Sequence, residues 1–507
     1  MPANDNARVR VHGLFIDGAD VPASSDERLD VLNPATGELL ARISHATAAD
    51  VDRAVRSSRA AFESKEWSGM SNRTRARLIN KLADVFEANL DEMYQLETAN
   101  NGRSVNETRA QISRLPDFFR YNAGLAIARR DAVIPVDGNY LNYTLRTPVG
   151  VVGNSTPFNH PLMIMVKSLA PTLASGCTTV VKPSEYTPLT SLRLAQLFVE
   201  AGLPPGCFNI VTGLGPTTGK ALAEHRGINK WVLTGGTEAG RITGALAGAN
   251  FAHQTQELGG KTPVLVFDDF DVDQAVNYAA FGAFIGAGQT CICGSRQIVH
   301  ERIYDEFVAK LAAKAKTIRI GNPSDASVQL GPVVSKRQQE RVLKYIRIGL
   351  EEDKARLVAG GKVPADAALA NGFFVEPTVF ADVTPKMRIF QEEVFGPFVS
   401  VTKFSTEEEA IAMANDSDFG LAGAIRTSNV TRAHRVAARL KCGIVWVNDH
   451  HRLDPASPWG GVKDSGIGRE CGTESFDQHF ETKSVMVRLD DAPFDWYKDT
   501  AAQRRLN

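Results

Sequence analysis

Two cysteines, Cys291 and Cys293, stand one residue apart in the run GAGQTCICGSR, Gly286 to Arg296. A thiolate can be a metal ligand, a redox partner or a nucleophile. Zinc would want a second ligand pair at a suitable spacing, and no C-x-x-C or H-x-x-x-H accompanies this one. A dithiol redox motif more usually reads C-x-x-C. A nucleophile or an inert pair remains. Three further segments hold residue types that a thiol nucleophile needs: Glu257 before the Gly-Gly of QELGGKTP, Asn159 between the prolines of TPFNHP, and Glu393 and Phe395 in QEEVFGP. A glutamate can activate a thiol or a water, and an asparagine amide can donate to an oxyanion. Singly, each is also an ordinary turn residue.

The chain has 507 residues, too many for one ordinary core, so two or three domains are expected. Its 57 Lys+Arg and 58 Asp+Glu leave a formal charge of -1, which gives no footprint for nucleic acid or an anionic membrane. The first residues, MPANDNARVRVHGLFIDGAD, lack a secretory pattern, and no run approaches the roughly 18 apolar residues of a membrane span. A cytoplasmic protein with small-molecule partners is expected. Six scattered cysteines argue for free thiols rather than a disulfide framework.

Elements must bring these distant residues together. VGVVGNSTP, TTVVKPS, FNIVTG and KWVLTGG are short β-branched runs that end in turn residues, each followed by helical periodicity, as in SLRLAQLFVEAGL. This alternation predicts a parallel sheet covered by helices, with ligands at the carboxyl ends of its strands. A second series, TPVLVFDD, RQIVHERI, FFVEPTVFADV, FVSVTKF, LAGAIRTS and GIVWVND, predicts a second α/β domain. Residues 50 to 130 read as long amphipathic helices, for example RTRARLINKLADVFEANLDEMYQLE. NYLNYTLRTPVG and ETKSVMVRL alternate as exposed strands in need of a partner sheet, which an oligomer could supply.

Two glycine segments suit either plain tight turns or a dinucleotide site, and a charged pair near them either a solvated strand end or a ribose contact. GLGPTTG (Gly213 to Gly219) and TGGTEAG (Thr234 to Gly240) each follow a predicted strand and lead into a helix, so that backbone N–H groups and the helix dipole can face a pyrophosphate. Neither matches G-x-G-x-x-G. Lys182 and Glu185, three residues apart after another strand, can bond ribose hydroxyls.

In this order, TPFNHP, VVKPSEYTP, TGGTEAG, ELGGKTP, GQTCICGSR, EEVFGP and PWGGVKDSGIGRE resemble the aldehyde dehydrogenase superfamily, and the resemblance runs from NPATGE (Asn33 to Glu38) to ETKSVMV. It implies a Rossmann-like cofactor domain (1–128 and 149–257), a second α/β catalytic domain (258–463) and a small β oligomerisation element with the tail (129–148 and 480–507). A homodimer or homotetramer is then expected. The resemblance makes Cys291 the nucleophile, Glu257 the base for deacylation and Asn159 the oxyanion donor, with the N–H of Cys291; Cys293 has no essential role. Lys182 and Glu185 would hold the adenosine ribose, Gly235 and Gly236 would lie where the pyrophosphate passes the helix starting near Thr237, and Glu393 and Phe395 would position the nicotinamide riboside. Thr156, Pro157, Phe158, Gly215, Gly219 and Leu258 complete the cofactor groove implied. The chemistry implied is oxidation of an aldehyde to a carboxylic acid through a thiohemiacetal and a thioester, with no metal. Glu257 favours hydrolysis over transfer to coenzyme A, and Glu185, beside the extra phosphate of NADP, favours NAD, with some NADP use possible.

The chain departs from the family at Phe158, where tryptophan is common, and around the implied substrate tunnel. His160, Lys167, Thr290, Ile292, His450, His451 and Leu453 would line a more polar tunnel than one built for long aliphatic aldehydes. A polar or aromatic aldehyde or semialdehyde is expected: hydroxylated, heteroaromatic or carboxylate-bearing. The histidines could instead bond loop backbone. Glu470, in GIGRE, matches a family position near the inner end of the site and would relay protons from Glu257. Two other readings are a catalytically inactive binding protein of the same fold and a thiol esterase that ignores NAD.

Overall fold

The computed structural model describes residues 10–491, 493 and 495–497. The first nine residues of the 1–128 segment, and residues 492, 494 and 498–507 of the tail, lie outside them. Buried β-branched runs form the strands Val151–Ser155, Thr178–Lys182, Phe208–Ile210 and Lys230–Thr234. With His253–Glu257 they make a parallel core, and in chain order these five strands are arranged 3-2-1-4-5. The order reverses between Val151–Ser155 and Lys230–Thr234, where a ligand crevice opens beyond the carboxyl ends. Short strands extend the sheet: Leu14–Ile16 and Ala19–Val21 at one edge and Gly466–Ile467 at the other, the last pairing antiparallel with His253–Glu257.

The second series forms a seven-stranded sheet in the order Arg356–Ala359, Thr378–Ala381, Phe398–Phe404, Arg296–His300, Pro263–Val266, Ala422–Arg426 and Ile444–Val447. All its pairs are parallel except that of the Arg356–Ala359 edge. Helices Glu301–Thr317 and Glu407–Asn415 fall where their periodicity put them. No helix among the described residues is long and apolar enough to cross a membrane.

Two expectations need correction. The long helix read across residues 73–97 is two helices, Asn72–Ala88 and Leu90–Asn101. Asn89 divides them, its amide capping the first helix by donating to the Val85 carbonyl at 2.8 Å. The two exposed strands find each other without an outside sheet: Tyr140–Pro148 and Phe480–Arg488 pair antiparallel from Phe480↔Pro148 to Arg488↔Tyr140, with Val133–Ile134 on the far side of Tyr140–Pro148. Alternate apolar side chains, Leu141, Leu145 and Met486 among them, stay exposed on this ribbon.

Candidate active site

Helix Val272–Phe284 ends in the turn Ile285–Gly288, where Gly286 and Ala287 take left-handed φ of 61° and 53°. For alanine this costs on the order of 1 kcal/mol, so the surroundings must hold it. They do: Gln289 Nε2 donates to the Gly286 carbonyl at 3.2 Å, and its Oε1 accepts from the Val334 N–H at 3.0 Å. Beyond the turn the two thiols part. Cys293 is buried, and its Sγ donates to the Ala283 carbonyl at 3.3 Å. Cys291 is half-buried and opens onto a cleft of about 1010 Å³. Burial first, then Glu257 and Glu393, against Lys167, push its thiol up to about 12.

Glu257 closes its strand and leads into the Gly259-Gly260 turn. Gly260 faces the cysteine loop so closely that a Cβ there would lie 2.1 Å from the Cys291 carbonyl oxygen. Gly260→Ala is therefore expected to displace Cys291 and lower kcat by more than about tenfold, with the fold retained by circular dichroism; full activity in that variant would contradict the packing. The Glu257 carboxyl is buried, and neither oxygen has a hydrogen-bond partner among the described residues. Burial and then Glu470, partly offset by Lys167 and Arg469, push it up to about 8. Such a group is a far better base than an ordinary carboxylate.

The same cleft takes Pro157, Phe158 and Asn159 from the loop after Val151–Ser155, Gly235 and Gly236 after Lys230–Thr234, Leu258, and Glu393 and Phe395. The Asn159 side chain is buried, with Oδ1 unpartnered. Glu393 accepts the Gly260 N–H at 2.9 Å, and burial raises its carboxyl. Phe395, at φ 61°, sets its ring edge-on to Phe158 at 5.7 Å, and its carbonyl accepts from Gln338 Nε2 at 2.6 Å.

At the same carboxyl end of the sheet, where strand Thr178–Lys182 finishes, Lys182 is buried and its Nζ lies 3.3 Å from Glu185 Oε2. A Cβ on Gly219 would come within 3.8 Å of Lys182 Cδ, whereas on Gly215 or Gly236 it would meet nothing within 4 Å. The hydroxyls of Thr156 and Thr234 are buried and unpartnered. Helix Thr237–Gly248 begins at Gly236 with no side-chain cap, leaving its first N–H groups free for an anion. The other glycine segment differs from expectation. Gly215–Gly219 is a π-helical turn continued only by Lys220–Ala223; within it Thr217 Oγ1 lies 2.8 Å from His45 Nε2, and Thr218 donates to the Ala46 carbonyl at 2.6 Å. So short a helix supplies little dipole.

None of the seven expected tunnel residues lines the 1010 Å³ cleft. They form a second group around the cysteine loop. Thr290 and Ile292 flank Cys291 and are buried. His450 is buried, its Nε2 3.0 Å from the Ile292 carbonyl, so it braces the loop rather than facing a ligand with that nitrogen. His451 lies 3.4 Å from the Gly282 carbonyl through Nε2. Lys167 is committed as well: its Nζ is 2.5 Å from Glu470 Oε2 and 5.1 Å from the Trp459 ring centre. Burial would strip its proton, but Glu470 holds it above the ordinary lysine range. Leu453 is half-buried against the main core. Trp446 and Trp459, 6.1 Å apart, connect His450 to Lys167.

The residues that hold this arrangement lie in a segment the sequence left silent, Glu97 to Glu107. Asn101 Nδ2 donates to the Phe158 carbonyl at 2.5 Å, and Glu97 accepts the Leu162 N–H at 3.2 Å. Arg103 donates to Glu97 at 2.6 Å, to Gln111 at 2.9 Å and to His160 Nδ1. Glu107, raised to about 7 by burial against Arg103, accepts the Gly286 N–H at 3.2 Å. The loop bearing Asn159 and the turn before Cys291 thus hang on one platform. Its only sequence signal is a polar run, ETANNGR, inside a helical pattern.

The aldehyde dehydrogenase family model matches residues 21–485. The putative aldehyde dehydrogenase DhaS of Bacillus subtilis (strain 168) is 44% identical over 479 residues, 94% of this chain and 96% of that one. The crystal structure of PnpE from Pseudomonas sp. WBC-3 superposes with a TM-score of 0.93 at 44% identity, covering 96% of this chain and 100% of that one. The NAD+ complex of an aldehyde dehydrogenase from Bacillus cereus does so at 0.93 and 41%, covering 97% and 99%. A cysteine cleft at the switch point of a parallel sheet, joined to likeness along nearly the whole length, places this chain in the aldehyde dehydrogenase family.

Proposed function

We propose that the protein oxidises a polar or aromatic aldehyde, or a semialdehyde, to the carboxylic acid, with hydrolysis at Cys291 and with NAD as the cofactor. The observation that carries this is Cys291 opening onto one cleft with Asn159, Glu393, Phe395 and Gly236, while Glu257, with its raised carboxyl, closes the neighbouring strand. The uncapped helix after Gly236, the open space at Gly215 and Gly236, and the Lys182–Glu185 pair suit a dinucleotide. The Bacillus cereus structure in complex with NAD+ supports the same choice.

Cys291 reacts as the thiolate, its proton passing to solvent in the cleft; Sγ bonds to the carbonyl carbon as the C=O π electrons move to oxygen, and the Asn159 amide and the Cys291 N–H hold the resulting oxyanion. Bound NAD supplies the acceptor for the hydride that leaves this carbon. Cys291 then carries a thioester. Glu257 takes a proton from water, which adds to the acyl carbon; the C–S bond breaks and carboxylate leaves. Residues 1–128 and 149–257 would hold the cofactor, residues 258–463 the cysteine, and the ribbon of 129–148 and 480–488 would join copies into a homodimer or homotetramer. Six free cysteines fit a reducing cytoplasm.

NADH formation at 340 nm across a panel of aldehydes tests the reading; no turnover of any of them would refute it, and acyl-CoA formation would refute hydrolysis. Glu185 should repel the extra phosphate of NADP, so kcat/KM is expected to favour NAD, and Glu185→Gln to narrow the ratio about tenfold. A wild-type preference for NADP would overturn that role.

A further inference from the structure

Ser104 and Glu107 stand at the S-x-x-E spacing of a helix capping box, a pattern that spends both side chains on the helix's own first N–H groups. Helix Val105–Ile112 begins there, yet Ser104 makes no side-chain cap. The Glu107 carboxylate leaves its own helix instead. Both of its oxygens accept the Gly286 N–H, each at 3.2 Å, across 179 positions of chain. The contact ties the segment 1–128 to the segment 258–463, and Glu107 itself does not line the cleft.

The turn that it grips is one an ordinary chain avoids. Gly286 and Ala287 are left-handed in succession, which for alanine persists only where the surroundings impose it. Gln289 restrains the turn from within the loop, its own N–H donating to the Gly286 carbonyl at 3.1 Å. Glu107 restrains it from outside, and the Arg103 stem packs beside it, where a Cβ on Gly286 would lie 3.6 Å from Arg103 Cδ. Without Glu107 the Gly286 N–H loses its acceptor, and the turn can relax to right-handed or extended backbone and carry Cys291 with it. The same short segment reaches the oxyanion donor. Asn101 Nδ2 donates to the Phe158 and Asn159 carbonyls at 2.5 and 3.3 Å, and its Oδ1 accepts the Arg103 N–H at 3.2 Å.

We propose that Glu107 is a positioning residue for the nucleophile: it holds the turn before Cys291 in its left-handed form and, through residues 101–107, keeps Cys291 in register with Asn159. This rests on the aldehyde-oxidising reading above and adds to it a residue outside the cleft. What the turn needs is an acceptor more than a charge. Burial raises the Glu107 carboxyl to about 7, opposed by Arg103 and by the Gly286 N–H, so an uncharged acceptor of the same shape should serve nearly as well.

The test compares Glu107→Leu, which has no acceptor, with Glu107→Gln, which keeps one. Hydrogen–deuterium exchange of the peptide spanning residues 285–293 should speed up by at least about tenfold in Glu107→Leu and stay near wild type in Glu107→Gln, with the strands of both sheets unchanged. With benzaldehyde and NAD, kcat should fall by at least about tenfold in Glu107→Leu while KM for NAD stays within about twofold, and Glu107→Gln should stay within about threefold of wild type. Asn101→Ala should also lower kcat, and the double variant with Glu107→Leu should fall no more than about threefold below the worse single one. If Glu107→Leu does not fold, Glu107→Ala carries the same expectations. Wild-type exchange of residues 285–293 in the variant without an acceptor, equal loss of kcat in Glu107→Gln, or losses that multiply in the double variant would each overturn the proposal while leaving aldehyde oxidation standing. Failure of the wild type with every aldehyde would overturn the reading beneath it, and the exchange rates would still decide whether Glu107 holds the turn.

Discussion

Cys291→Ala abolishes aldehyde oxidation: NADH formation at saturating aldehyde and NAD falls by about 10⁴-fold or more, since loss of a covalent nucleophile removes the pathway instead of slowing one step. The fold should be intact, because Cys291 is half-buried at the cleft and a smaller side chain there leaves no polar group stranded. Cys293 is no substitute. Its thiol is turned to the Ala283 carbonyl and burial, eased only by Lys261, pushes it up to about 12. Cys293→Ala should therefore retain oxidation within a few-fold of wild type, so the pair of variants assigns the reaction to one sulfur. Retained turnover in Cys291→Ala would end the cysteine mechanism.

Glu257→Gln should separate the two halves of the reaction. Acylation proceeds and releases about one NADH per active site in a burst, after which steady-state turnover falls by about 10²- to 10⁴-fold, the usual contribution of a general base. The acyl-enzyme should then be visible by mass spectrometry as an adduct on Cys291. In the wild type the base must be unprotonated to accept a proton from water. With its carboxyl raised to about 8, Glu257 is mostly protonated below that pH, so the hydrolytic rate should climb as pH rises through about 8 and level off above it. Single-turnover deacylation between pH 6 and 10 measures the limb. A flat profile, or an unaltered steady state in Glu257→Gln, would remove the residue from its role.

The sheets were legible because buried strands are written as short apolar runs: VVGNS, TTVVK and KWVLT lie within strands at their predicted places. His253–Glu257 was not, for HQTQE has no apolar run and becomes a strand only by pairing with Lys230–Thr234. The hairpin Leu14–Ile16 and Ala19–Val21 also went unread, although Asp17 and Gly18 make its left-handed turn. At the site, motif order brought Cys291, Asn159, Glu393 and Gly236 to one cleft. What sequence could not give was the partner of each polar group. Lys167 reads as a charge near a tunnel until Glu470, far along the chain, is found beside it. Likewise Glu107 is an ordinary helix residue until it meets the Gly286 N–H, 179 positions on. Pairings across such separations are set by tertiary closure and leave no local pattern.

The inward turn of Cys293 bears on oxidative damage. A peroxide-sensitive thiol is protected when a second sulfur can trap its sulfenic acid as a disulfide. Here the adjacent candidate is held against a main-chain oxygen inside the molecule. Cys291, once oxidised, would have no resolving sulfur in its own loop, and recovery would depend on a small thiol diffusing in through the cleft.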